Sequence, residues 1–183
     1  FSILNYATIS GINTLDTAVS YGDSETRLGR MNIEQWRVVS KLPNLPDNCK
    51  DVTQWVTSSV HESLERLRIS SMDSLLLHRP QNLLSPQGEE LYSAMEHLKR
   101  QGLVNKIGIS IYDPTELDIL LKEFIVDIVQ APFSIVDRRL ESSGWLKQFK
   151  NEGIEVHARS VFLQGLLLLS PSEQIEKLAR WKA

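Results

Sequence analysis

Short, almost wholly apolar runs recur along this chain, and each is followed by a stretch with helical periodicity. The runs are Thr14–Ala18, Arg37–Pro43, Asp73–Arg79, Lys106–Ile111, Asp127–Phe133 and Glu155–Val161. They begin roughly 20–35 residues apart, the spacing of strand–helix units rather than of hairpins. A run such as Ser74-Leu75-Leu76-Leu77 has no polar face, as expected of parallel strands covered on both sides. The pattern predicts an α/β fold with a parallel sheet. An open doubly wound sheet and a (β/α)8 barrel both satisfy alternation alone, and a complete barrel takes about 250 residues against the 183 present.

The intervening stretches carry helix punctuation. Asp51 precedes Val52, Trp55, Val56, Val60, Leu64 and Leu67 on one face, with Gln54 three residues after the cap, a capping-box spacing. Asp113-Pro114 followed by Glu116 marks a second start, with Leu117, Leu120, Leu121 and Phe124 as its stripe. A third helix is predicted from Pro86 to Arg100 and a fourth from Arg138 to Glu152, stopped by Gly102 and Gly153. Ile3, Leu4 and Ala7 before Gly11 predict the end of a helix, and another is predicted over Ser172–Ala183. With no linker or composition shift, residues 1–183 read as one domain, a barrel cut at both ends that holds its second to seventh staves but lacks the first and eighth.

Composition excludes several function classes. Lys and Arg number 20 against 23 Asp and Glu, a net charge of −3 with no basic block, so nucleic acid is not expected as a partner. Cys49 is the sole cysteine, and no Cys/His spacing suggests a zinc site. Val161–Leu169, the longest nearly apolar stretch, is too short for a bilayer. Phe1–Gly11 lacks the charged start and cleavage site of a signal peptide, and a cytoplasmic location is expected.

Function is expected where polarity breaks the apolar runs. Each carries a polar residue at or near its C-terminal end: Asp16, Lys41, His78, Ser110, Gln130, then Arg159 with Ser160. In a parallel α/β fold these ends share one face, and in a barrel they ring one mouth. Polar groups beside a core are costly unless they meet each other or a ligand. His61 and His97 fall in helical stretches and His157 lies early in its run, away from that face. Tyr21 follows Asp16 in the loop Val19-Ser20-Tyr21-Gly22-Asp23. A tyrosine pKa of about 10 is too high for easy proton exchange; an ammonium from Lys41 would lower it. Asp16 would hold Lys41 charged, and a neutral His78 would orient a carbonyl oxygen beside the tyrosine hydroxyl.

These residues resemble the aldo-keto reductase family. Gly11-Ile12-Asn13-Thr14-Leu15-Asp16-Thr17-Ala18, then Tyr21-Gly22, Ser24-Glu25 and Leu28-Gly29, is similar to its best-known signature. Lys41 after Val38-Val39-Ser40, His78 after Leu75-Leu76-Leu77, Lys106–Ser110, Val129-Gln130, Arg159-Ser160 and Gln164-Gly165-Leu166 follow in order. The short Tyr-Gly-Asp-Ser-Glu form and Arg159–Gly165 resemble a bacterial branch associated with sugar and surface-polysaccharide genes. The resemblance implies a (β/α)8 barrel that reduces an aldehyde, ketone or sugar carbonyl with NADP(H) in preference to NAD(H). It further implies that Tyr21 is the general acid, tuned by Lys41 and Asp16, while His78 orients the substrate. Ser110 and Gln130 would hold the nicotinamide carboxamide, Arg159 would face the ring, and Ser160 would lie near the pyrophosphate.

Two positions depart from the family pattern. Ile111 stands where asparagine commonly follows the serine, and Arg159 where an aromatic residue commonly stacks on the nicotinamide. They leave open a second reading, a binding or regulatory domain with weak or no turnover. A metal-dependent barrel hydrolase would need several His and carboxylate strand-end ligands, and only His78 and Asp16 are available there.

Overall fold

A computed structural model describes residues 2–173. Helix α1 (Ser2–Ile9) leads to strand β1 (Thr14–Asp16), helix α2 (Ser24–Gly29) and strand β2 (Arg37–Leu42). Helix α3 (Val52–Leu67), strand β3 (Met72–Leu77), helix α4 (Gly88–Arg100) and strand β4 (Val104–Ser110) follow. Helix α5 (Leu117–Glu123) and strand β5 (Ile128–Pro132) precede helices α6 (Arg139–Ser142) and α7 (Trp145–Glu152) and strand β6 (Glu155–Arg159). The sheet order is β1-β2-β3-β4-β5-β6, with every neighbour parallel.

The punctuation acts as the sequence predicts at most helix ends. The Asp51 carboxylate accepts the Gln54 backbone N–H at 2.8 Å and so satisfies one of the open donors of α3. Asp113 and Glu116 form a full capping box around Pro114, and a single 3₁₀ turn (Pro114–Glu116) then runs into α5. The stretch expected as one helix from Arg138 to Glu152 is instead split into α6 and α7. Gly144 between them has φ +88, a left-handed conformation that stops one helix and admits the next only at low cost for glycine. Leu140 and Phe149, one from each piece, are both fully buried, so the break serves packing on two sides. The helix expected at Ser172–Ala183 lies outside the described residues apart from its first two.

Flat, the sheet would set strands four steps apart at roughly 19 Å, at about 4.8 Å per step. Instead Arg37 on β2 donates to Glu155 on β6 at 2.9 Å, and Gln130 on β5 donates to Asp16 on β1 at 2.8 Å. The sheet is therefore curled into a large part of a (β/α)8 barrel, and polar bonds span its hollow at both ends. Val39, Leu76 and Ile128 form a small apolar cluster inside the curl, whereas the main core lies between the sheet and the helices. Gly108 sits in that inner layer. A Cβ there would come within 1.9 Å of the Ile128 carbonyl oxygen, so a side chain at 108 would push β4 away from β5.

Glu25 explains why one piece of the Ser24-Glu25 motif is needed structurally. It is buried on α2 and accepts bonds from Ser40 on β2 (2.6 Å) and from Ser63 (3.2 Å) and Arg66 (2.8 Å) on α3. One carboxylate thereby ties two helices to a strand.

At the strand starts, Arg37, Asp73, Lys106, Glu155 and His157 form an alternating network. Hydrogen bonding from Lys106, then from His157 and Arg37, holds the Glu155 carboxyl down at about 2, against 4.5 ordinarily. A depressed carboxyl stabilises the fold above its unfolded pKa, and this is lost as pH falls through the folded value. Glu155→Gln is therefore expected to destabilise the chain by about 1–2 kcal/mol at pH 7, the pair being partly exposed. The difference from the parent should shrink between pH 4.5 and 2 in urea titrations. An equal difference at pH 7 and at pH 2 would remove Glu155 from the network's account.

Candidate active site

The strand ends of β1 to β6 converge as the alternation requires. Lys41, near the end of β2, is 1% exposed. Its Nζ lies 2.8 and 2.7 Å from the two Asp16 carboxylate oxygens and 2.8 Å from the Thr17 carbonyl oxygen. Three donors thus meet three acceptors, which an ammonium can satisfy fully. Burial lowers the Lys41 pKa, and Asp16 opposes that shift by charge and hydrogen bonding. Asp16 also accepts the Gln130 amide at 2.8 Å, and Gln130 accepts the Ser110 hydroxyl at 3.2 Å. A polar chain therefore runs from β4 through β5 and β1 to β2, with Ser110 and Gln130 buried in it.

Tyr21 sits over this chain in the loop after β1. The Lys41 ammonium lies 5.1 Å from its ring centre, and the His78 ring meets it edge-on at 5.8 Å between centroids. The expected lowering of the tyrosine pKa by Lys41 is not found. Burial pushes the Tyr21 hydroxyl up, Asp16 adds to this, and among the charges acting on it Arg159 lowers it. The physical reason is that burial disfavours the charged phenolate and that the Lys41 ammonium brings the Asp16 carboxylate with it, whose charge repels the phenolate. For His78, burial followed by the charges of Lys41, Arg79 and Arg159 push the pKa down, which favours the neutral imidazole.

Arg159 at the end of β6 is fixed in place. Its Nη2 donates to the Ile111 carbonyl at 2.8 Å, and the guanidinium lies 4.3 Å from the centre of the Tyr112 ring, a stacking contact. Its buried Nε has no hydrogen-bond partner among the described residues. Ile111 is itself wholly buried in the main core. Arg159 is thus bonded to the main chain of residue 111, while the Ile111 side chain points into the core. Ser160 follows with φ +58, a left-handed backbone that costs a non-glycine residue about 1 kcal/mol or more. Among the described residues no hydrogen bond links it to the other strand-end groups.

The structure adds residues that the sequence reading passed over. Ser20 Oγ lies 3.0 Å from His78 Nδ1. If the hydroxyl donates, Nδ1 is the acceptor and Nε2 carries the ring proton. Ser20, Pro43, Asn44, His78, Arg79 and Tyr112 line a hollow of about 280 Å³. Asn44 and Arg79 stand just beyond the ends of β2 and β3, and Tyr112 just beyond β4, so the rule that flagged Lys41 and His78 reaches them when carried further. A second hollow of about 340 Å³ lies between β1 and the strands β5 and β6, lined by Asp16, Gln130, His157 and Arg159 among others. A primary amide and an orphaned buried N–H beside such a hollow suit a planar carboxamide, so Gln130 and Arg159, with the Ser110 hydroxyl bonded behind Gln130, fit a nicotinamide.

Ser20→Ala removes the partner of His78 Nδ1. Imidazole ¹⁵N shifts of His78 are expected to report one tautomer, protonated at Nε2, in the parent and a mixture in the variant. An unchanged tautomer ratio would show that Ser20 leaves the ring's proton where it is.

Comparison with known proteins identifies the arrangement. A model of the aldo/keto reductase family matches residues 1–180, and the chain belongs to that family. It is 31% identical to the uncharacterized oxidoreductase YqkF of Bacillus subtilis, over 94% of this chain and 59% of the relative. It is 26% identical to the L-glyceraldehyde 3-phosphate reductase of Escherichia coli K12, over 91% of this chain and 53% of that protein. The aldo-keto reductase AKR11C1 from Bacillus halodurans, in its holo form, superposes with a TM-score of 0.76 at 26% identity, covering 91% of this chain and 58% of that one. The chain thus spans between half and three fifths of the length of these proteins. Among the described residues no helix is long and apolar enough to cross a membrane.

Proposed function

We propose that this chain carries the reducing centre of an NADP(H)-dependent oxidoreductase acting on an aldehyde, ketone or sugar carbonyl. The observation that carries the reading is the packing of Tyr21 against both His78 and the Asp16–Lys41 pair. A carbonyl that accepts a hydride becomes an alkoxide and needs a proton at its oxygen. Tyr21 supplies that proton as general acid. Its raised pKa keeps it protonated near neutrality, which is the form that reduction consumes.

His78, neutral and with Nδ1 engaged by Ser20, offers an N–H that aligns the carbonyl oxygen beside the tyrosine hydroxyl. As Tyr21 gives up its proton, the phenolate that forms has the Lys41 ammonium 5.1 Å from its ring centre. Asp16 holds that ammonium in position and charged. Ser110, Gln130 and Arg159 would hold the nicotinamide, and Ser160 the neighbouring phosphates. When bound, the nicotinamide supplies the hydride; the barrel supplies orientation and electrostatics.

Tyr21→Phe in the intact protein is expected to cut carbonyl reduction by at least about 10²-fold, because general acid catalysis is worth roughly 10²–10⁴. Cofactor affinity should stay within about threefold, since the phenol oxygen alone is removed. Turnover comparable to the parent would reject the assignment. Fluorescence titration of the intact protein with NADPH and with NADH reads the cofactor directly. Tighter binding of NADPH is expected, and a preference for NADH would overturn that part of the reading.

A further inference from the structure

We propose that the substrate carries an anionic group, a carboxylate or a phosphate a few bonds from its carbonyl, received by Arg79 together with Asn44. The inference rests on the reductase reading above and names the class of substrate that the same centre takes.

Arg79 follows His78 directly and precedes Pro80. A residue before proline is held out of the helical region, and Arg79 accordingly lies outside it, with φ −127 and ψ 85. Its side chain therefore springs from a fixed root beside the imidazole. It lines the His78 hollow and also a second, larger one of about 450 Å³, shared with Asn44, Gln81 and Asn82. The two hollows meet at Arg79 and Asn44, so a short molecule with its carbonyl at Tyr21 and His78 would extend its tail past both.

The polar groups there are unspent. Arg37, Arg66, Arg138 and Arg139 each reach a carboxylate. Neither Arg79 nor Asn44 has a side-chain hydrogen bond or ion pair among the described residues. Asn82 uses its carbonyl oxygen on the Leu45 N–H, leaving its amide donors. Glu116 already accepts the Tyr112 and Asp113 N–H groups and the Gln81 amide.

Charge points the same way. The charges of Lys41, Arg79 and Arg159 reach His78, as does that of Asp16 with the opposite sign. Asp16 is matched by Lys41 in a contact pair, so two guanidinium groups remain uncompensated at the mouth of a chain whose net charge is −3. A guanidinium fork binds carboxylate or phosphate in two parallel hydrogen bonds, and an uncharged tail would leave it unpaired.

The test uses the intact protein with its nicotinamide cofactor. Values of kcat/KM are compared within two pairs, glyceraldehyde 3-phosphate against glyceraldehyde and succinic semialdehyde against butyraldehyde. The anionic member of at least one pair is expected to be favoured tenfold or more, and the favoured pair separates phosphate from carboxylate. In Arg79→Met that ratio should fall towards one, and Arg79→Lys should restore part of it. Calorimetry with glycerol 3-phosphate and with succinate, which cannot be reduced, reads the subsite without turnover, so its failure is distinct from failure of the reductase reading. At least tenfold weaker binding of one of these anions by Arg79→Met is expected, with the affinity for NADPH unchanged. Equal ratios in parent and variant, absence of binding by both anions, or an effect of Arg79→Met on NADPH alone would overturn the proposal; the last would assign the guanidinium to the cofactor's own phosphates.

Discussion

An ammonium buried as deeply as Lys41 loses several kcal/mol of hydration, and only close, well-aimed oxygens offset that loss. The oxygens come from Asp16 and Thr17, at the end of β1 and just past it. β1 therefore cannot slip against β2 without stranding the charge, even though it pairs over only three residues. Asp16 must in turn accept from Gln130 on β5, which brings the first and fifth strands within hydrogen-bonding reach across the hollow. One buried charge thus sets the register of an edge strand, bends the sheet and builds the floor on which Tyr21 and His78 stand. The Asp16 side chain is 43% exposed, so removing one partner costs less than the roughly 3–5 kcal/mol of a wholly buried pair, yet the site and the fold share this one support.

The opposite end of the hollow repeats the device with different chemistry. There Arg37, Asp73, Lys106 and Glu155 alternate in sign, and the Arg37–Glu155 bond reaches from β2 to β6. Between the two polar layers the inner cluster among the described residues is Val39, Leu76 and Ile128. So thin an apolar layer cannot by itself dictate the curvature, and the cross-hollow ion pairs and hydrogen bonds make up the difference. In barrels of this kind the end carrying the strand C-termini hosts chemistry and the other hosts stability. The contrast between a mouth where Arg79 and Arg159 have no carboxylate partner among the described residues and a base where Arg37 and Lys106 both do follows that division.

The strands and the polar ring were legible because both rest on local rules: apolar runs of fixed spacing, and polarity where a run stops. The α3 cap and the Asp113–Glu116 box were legible for the same reason, since a cap acts within one helical turn. The break at Gly144 was not, because glycine after two serines reads equally as a weak interior position, and the choice was made by two distant burial sites, Leu140 and Phe149. The direction of the Tyr21 shift was missed because its largest cause, burial, and the nearness of Asp16 exist only in the folded chain. Ser20 and Arg79 were overlooked for a related reason. Each stands beside a flagged residue, and only the folded arrangement shows one hydroxyl at a ring nitrogen and one guanidinium left unpaired.

The positions that depart from the family pattern gain a physical meaning once they are taken together. On its own, Ile111 removes a polar side chain from the mouth, and Arg159 replaces a neutral ring with a charge. In the structure the Ile111 side chain fills the main core while its carbonyl oxygen holds the Arg159 guanidinium, and Tyr112 covers the face of that guanidinium. A long flexible cation is thereby turned into a fixed plate at the end of β6, with one buried N–H still open. A fixed plate can pack against a planar ring as an aromatic side chain would, and it adds a positive field that acts on Tyr21, Lys41 and His78 alike. The anchor is the backbone carbonyl of residue 111, which any side chain there would leave in place, so what is particular to Ile111 is the apolar filling of the core beneath the bond, and what is particular to Arg159 is the charge that the bond holds at the end of β6.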